Sequence, residues 1–151
     1  MDRSHGTRRG GASDAGNRLF TRDPRRPSAC PSGREAPRFD LLEVEPGHAV
    51  FEMAPGEQHY NPIGVVHGGV AMTLLDSAMG CAVQTQMAAG GGYTTLEAKT
   101  NLVRPITSAT RRLRAIGKLV HLGKRVATAE GRLEDEQGKL YAHATTTCLI
   151  L

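Results

Sequence analysis

Residues 61–80 read NPIGVVHGGVAMTLLDSAMG, and within this apolar run sits one carboxylate, Asp76, the only acid between Glu57 and Glu97. Aspartate is a weak helix former and its charge is costly to bury, so packing alone does not select it there. Upstream lie Asn61, His67 and the pair Gly68-Gly69. From Val70 to about Met87 apolar and small residues surround the axis instead of forming one stripe, which predicts a helix covered on most sides. The run Ala88-Ala89-Gly90-Gly91-Gly92 ends it.

Outward from this helix the periodicity changes. FDLLEV and HAVFEMA flank Pro46-Gly47 and predict two short strands joined by a tight turn. After the helix, Tyr93–Val103 stops at Arg104-Pro105, Thr110–Val120 alternates as RRLRAIGKLV, and Arg125–Glu134 alternates as RVATAEGRLE. Asp135-Glu136-Gln137-Gly138 then turns the chain into LYAHATTTCLIL. No helical crossover separates the later strands, so the sheet is expected to be antiparallel and the class α+β, with the sheet wrapped around the one long helix.

At 151 residues the chain suits one domain with a sizeable core. Its net charge of +4 is unevenly placed. Residues 1–38 carry nine arginines against four acids, whereas the remainder carries ten Lys/Arg against eleven Asp/Glu. That basic segment is rich in Gly, Pro and Ser, with too little apolar surface to offset its ordering entropy, and is expected to be a disordered extension preceding a domain at 39–151. No aromatic interleaving supports nucleic-acid binding, and Arg8-Arg9 and Arg25-Arg26 precede no apolar signal core. No run reaches transmembrane length. Cys30, Cys81 and Cys148 form no CxxC pair, and the six histidines show no metal-ligand spacing. The expectation is a cytoplasmic protein with reduced cysteines and no metal.

Spacing then bears on mechanism. With the helix starting near Gly68, Asp76 lies eight residues on, about 12 Å along the axis. A helix-start N–H and that carboxylate cannot both touch one reacting carbon, so the two are either unrelated or combined from different subunits. A C2 dimer with antiparallel central helices would bring one chain's Gly68 to the other's Asp76. There Gly68 N–H, aided by the helix dipole, would polarise a carbonyl, and the missing side chains of Gly68 and Gly69 would let a ligand approach the backbone. Asp76 would act as nucleophile or general base, Asn61 would orient water or the carbonyl, and His67 would shape the loop. Simpler roles stay open to each residue alone: a backbone-bonded acid, a turn asparagine, a loop histidine, a glycine pair for close helix packing.

The run Asn61–Gly80, continued through Arg104-Pro105 and the turn Gly123-Lys124-Arg125, resembles hotdog-fold acyl-CoA thioesterases of the phenylacetate-pathway (PaaI-like) type. The resemblance spans about 39–151 and implies functional roles for Asn61, Gly68 and Asp76, without a gap between them. It also implies an assisting hydroxyl on the next strand, at Thr95 with Thr94 as its neighbour. The implied substrate is an aryl- or medium-chain acyl-CoA, with coenzyme A as part of the substrate and no separate cofactor. Arg104, Lys124 and Arg125 are candidates for its phosphates, with Arg111 and Arg112 behind them. The implied assembly is a homodimer, or a homotetramer built as a dimer of dimers, with the site between subunits. Two other readings remain: a hotdog hydratase or dehydratase, and a non-catalytic acyl-CoA-binding module.

Overall fold

The computed structural model describes residues 38–151. The expected extension at 1–38 therefore lies almost wholly outside the described residues, as does Cys30. The order is β1 (Asp40–Glu45), β2 (His48–Met53), α1 (Gly68–Gln84), β3 (Tyr93–Leu102), β4 (Leu113–Leu122), β5 (Val126–Asp135) and β6 (Leu140–Ile150), with short 3-10 turns at Glu57–His59 and Ser108–Thr110. The six strands form one antiparallel sheet in the order β1-β2-β4-β5-β6-β3. β3 is thus the far edge, paired among the described residues with β6 alone.

Burial of α1 departs from the expectation of cover on most sides: Ala71, Leu74, Leu75, Ala78, Met79, Ala82 and Val83, spaced three and four apart, form one buried face, while Met72 and Thr73 on the other are exposed. The helix lies in a trough that the sheet makes for it. Paired across the sheet are Ala49, Gly117, Gly131 and Ala144, a row of residues with a methyl group or none. A Cβ on Gly117 would lie 2.2 Å from the Ala78 carbonyl oxygen, and one on Gly131 would lie 3.0 Å from Leu75 Cδ2 and Met79 Cγ. At Gly117 helix backbone and sheet backbone therefore touch. A contact of this kind needs glycine, since a backbone atom cannot swing aside as a side chain can.

Two boundaries differ from the expectation. α1 ends at Gln84, not near Met87, because Thr85 Oγ1 donates to Ala82 O at 2.7 Å while accepting from Gly47 N–H at 2.7 Å. Bonds from Gln86 N–H to Val83 O and Met87 N–H to Gln84 O tighten the exit into turns. β4 begins at Leu113 because Ser108–Thr110 forms a 3-10 turn and Arg111 takes a left-handed φ of 60°. Of the methionines, Met53, Met79 and Met87 belong to the core, whereas Met72 is exposed. No helix among the described residues is long and apolar enough to cross a membrane.

Candidate active site

The loop leading into α1 is fastened at both ends. Asn61 N–H donates to Val65 O, Val66 N–H to Ile106 O, and His67 N–H to His59 O, at 2.8 Å each. Asn61 Oδ1 accepts from Ile63 N–H at 3.1 Å and Val65 N–H at 3.3 Å, closing the loop from within. Its oxygen is thereby committed to the loop, which leaves the NH₂ group as the part able to donate to a carbonyl or water.

At the helix start the first three N–H groups meet different fates. Val70 N–H bonds His67 O at 2.9 Å, and Gly69 N–H bonds the His67 imidazole Nδ1 at 3.0 Å. Gly68 N–H has no acceptor among the described residues. His67 is the N-cap, with the extended ψ of 130° that such a position takes. The loop histidine therefore removes Gly69 from the donors open to a ligand. One helix-start donor, that of Gly68, stays free where the macrodipole is positive.

That donor borders a cavity of about 310 Å³. Asn61, Val65, Val66 and Ala71 line one side, and the segment Leu102–Ile106 forms the other. Apart from Arg104, this wall carries no mark in the sequence, where Arg104-Pro105 reads as a strand end. Arg104 lies at the cavity with its guanidinium donating to Leu140 O.

Asp76 and Thr95 do not line this cavity. They meet elsewhere: Thr95 Oγ1 donates to Asp76 Oδ1 at 3.1 Å, with both residues half-buried. Thr94, its neighbour, is exposed, as strand alternation requires once Thr95 faces the helix. An extra residue, Leu96, bulges the β3–β6 ladder directly after Thr95, and Thr146 Oγ1 pins the bulge by donating to Glu97 O at 2.7 Å. Asp76's charge reaches its neighbours. Burial, reinforced by that carboxylate, pushes the Cys81 thiol up to about 11, and burial with the nearby thiols and Asp76 pushes the Tyr93 hydroxyl up to about 12.

The structure thus divides the candidate residues into two groups. Asn61, Gly68 and Arg104 border the cavity at the start of α1, while Asp76 and Thr95 are paired two turns along. Lys124 and Arg125 are exposed on the β4–β5 turn, which joins the far end of β6 through Ile150 N–H to Arg125 O at 2.9 Å. Arg104 contacts the opposite end of that strand, at Leu140. Ten residue steps of strand separate the two ends, about 33 Å, so one chain cannot apply both to the same phosphate group. Arg112 is engaged by Glu52, which also holds Arg114 at 3.2 Å. Arg111 is exposed at the left-handed turn before β4. Among the described residues no three His, Cys, Asp or Glu side chains are grouped to hold a metal ion.

Comparison with known proteins supports this architecture. The thioesterase superfamily profile matches residues 63–142. A Saccharolobus solfataricus protein bearing an esterase name is 32% identical over 111 residues, covering 74% of this chain and 77% of its own. Human acyl-coenzyme A thioesterase 13 is 40% identical over a shorter stretch of 40 residues, 26% of this chain and 29% of that protein. Among solved structures, a variant of the phenylacetic acid degradation protein PaaI from Thermus thermophilus superposes with a TM-score of 0.67 at 30% identity, over 75% of this chain and 93% of that one. The PaaI protein of E. coli superposes with the same TM-score of 0.67 at 23% identity, over 75% and 79% of the two chains, a likeness of fold. The family match, the antiparallel sheet around one helix and the PaaI-like neighbours agree: this chain is a hotdog-fold thioester hydrolase belonging to the thioesterase superfamily.

Proposed function

We propose that the protein hydrolyses an acyl-CoA, aryl or medium-chain, to free acid and coenzyme A at a site completed by a second copy of the chain. The observation that carries this reading is the separation of Gly68, with its free N–H beside the cavity, from Asp76 farther along the same helix, where Thr95 of β3 bonds it.

β3 supplies a way to close that gap. It is a ten-residue edge strand with one side unpaired among the described residues and with Leu96 and Leu102 exposed by 57% and 50%. Such an edge invites pairing with another strand, and a copy of itself satisfies a two-fold axis. An antiparallel β3–β3 pair centred on Lys99, each copy opposite its own, sets Leu102 of one chain opposite the Thr95–Leu96 bulge of the other. Leu102 lines the cavity beside Gly68 and Thr95 bonds Asp76, so the same register unites the two halves. It also turns the partner's Lys124-Arg125 end toward the Arg104 side, within reach of the phosphates of one coenzyme A.

In this site the thioester oxygen accepts from Gly68 N–H and from the Asn61 amide, and both bonds strengthen as the oxygen gains charge. Asp76 of the partner subunit, held by Thr95, takes a proton from water as it attacks, or attacks the carbonyl itself. The carbon–sulfur bond then breaks and the thiolate leaves, taking up the proton that came from water; where Asp76 itself attacked, water afterwards cleaves the acyl–Asp76 anhydride to give the free acid. Steady-state thiol release from phenylacetyl-, hydroxybenzoyl- and hexanoyl-CoA tests the reading. Wild type should release thiol and Asp76→Ala should lose about a hundredfold or more in rate; equal rates would remove Asp76 from the chemistry.

A further inference from the structure

Helix α1 contains one glycine beyond its first turn, Gly80, at a position inside the helix where alanine is the better helix former. Gly80 lies one turn beyond Asp76, so both project from the same side of the helix. What occupies the missing side chain's place is Tyr93: a Cβ on Gly80 would lie 2.2 Å from the Tyr93 hydroxyl oxygen, 3.0 Å from Cζ and 3.2 Å from Cε2. Tyr93 is two residues before Thr95 on β3 and faces the helix as Thr95 does. The two elements therefore meet through two rungs, the Tyr93 ring on Gly80 and the Thr95 hydroxyl on Asp76. Beyond the second rung the ladder changes at once, with the bulge at Leu96 and the Thr146–Glu97 bond.

We propose that Gly80 and Tyr93 are positioning residues that set the spacing of β3 from α1 at which Thr95 reaches the Asp76 carboxylate, an inference that rests on the thioesterase reading. The ring is a rigid spacer and the glycine its seat. A methyl group at position 80 meets the hydroxyl tip of Tyr93 and the ring edge beside it, a rigid unit that cannot fold away as the end of a leucine can. The ring, and β3 with it, must then move outward. Neither residue needs to touch substrate for this to matter, since a displacement on the order of 1 Å at a reacting group can cost a hundredfold in rate.

The test measures kcat, KM and thermal melting for wild type, Asp76→Ala, Gly80→Ala, and Gly80→Ala combined with Tyr93→Phe. Gly80→Ala should lower kcat by about ten- to a hundredfold with KM changed less than about threefold. Adding Tyr93→Phe deletes the atom that would collide most closely and should recover most of that loss. A folded Gly80→Ala protein with wild-type kcat overturns the proposal, as does a folded double variant no faster than Gly80→Ala. If Gly80→Ala does not fold, Tyr93→Leu decides: it shortens the spacer without adding an atom to the helix, and should lower kcat with KM kept. Unchanged kcat there overturns the proposal. Failure of the underlying reading looks different: wild type releases no thiol, or Asp76→Ala matches it.

Discussion

Thr95 Oγ1 donates to Asp76 Oδ1 at 3.1 Å, tying the edge strand β3 to the middle of α1. The bond occupies one carboxylate oxygen and directs the other. A hydrogen bond to a charged group contributes roughly 1.5–3 kcal/mol, and loss of the orientation it gives Asp76 should appear in the rate. Thr95→Ala is expected to lower kcat by about tenfold or more, whereas Thr95→Ser keeps the hydroxyl and stays close to wild type. Thiol-release kinetics on both variants check this; a Thr95→Ala enzyme with full kcat would contradict it.

His67 secures the helix start by accepting from Gly69 N–H. Replacing it by alanine leaves that N–H without its side-chain partner and is expected to cost about 1 kcal/mol of stability, in the range of other N-cap losses. Urea denaturation measures the change. His67→Asn, a strong N-cap side chain, should restore most of it, and equal loss in the two variants would argue against a capping role.

Small residues under the helix are the second structural requirement. Gly117→Ala would drive a methyl group into the Ala78 carbonyl, where only backbone movement can make room. A loss of about 1–3 kcal/mol is expected by analogy with other overpacked cores. An unchanged denaturation midpoint would mean that α1 and β4 are not in backbone contact at Gly117.

Charge gives two tests in pH. Burial raises the Glu52 carboxyl, but the hydrogen bonds and charges of Arg112 and Arg114 outweigh it and hold the group below its ordinary value of 4.5. Its folded-state pKa is thus depressed, so its contribution is fully present above the unfolded pKa and is lost as pH falls through the folded one. Acid titration of stability should therefore be less steep below about pH 4.5 in Glu52→Gln than in wild type. Matching acid limbs would contradict the assignment.

The Cys81 thiol, raised to about 11 by burial and by Asp76, should alkylate slowly at mildly alkaline pH and faster with rising pH. Asp76→Asn removes the second of those causes and should speed labelling of Cys81 at fixed pH. Mass spectrometry of the labelled peptide gives the answer; unchanged labelling would place the carboxylate too far away to act on the thiol.

Much of this architecture is legible in the chain because two periodicities alternate. The run around α1 is mostly apolar at helical spacing, and the segments from Tyr93 onward alternate with period two, so element types and order follow from burial. Asp76 stands out because its chemistry disagrees with its surroundings. The trough of Ala49, Gly117, Gly131 and Ala144 is not legible, since those residues are far apart in sequence and only strand register aligns them. The His67 cap on Gly69 is hidden for a related reason, as the ring's direction depends on how His59 and Ile106 fasten the loop. Gly80 carries a signal, a glycine inside a helix, but its explanation lies in Tyr93 on another element.

The separation of Gly68 from Asp76 along α1 yields the most direct test. Asp76→Ala removes one half of the proposed site and Gly68→Pro the other, since proline lacks the N–H yet suits the first helical position after an extended His67. Each variant alone should be inactive. Unfolded together and refolded as an equal mixture, they form mixed dimers in which one of two sites carries both intact halves. With half the dimers mixed, thiol release should return to about a quarter of the wild-type rate. A mixture that assembles into dimers yet stays as inactive as its components would show that Gly68 and Asp76 are not brought together across subunits.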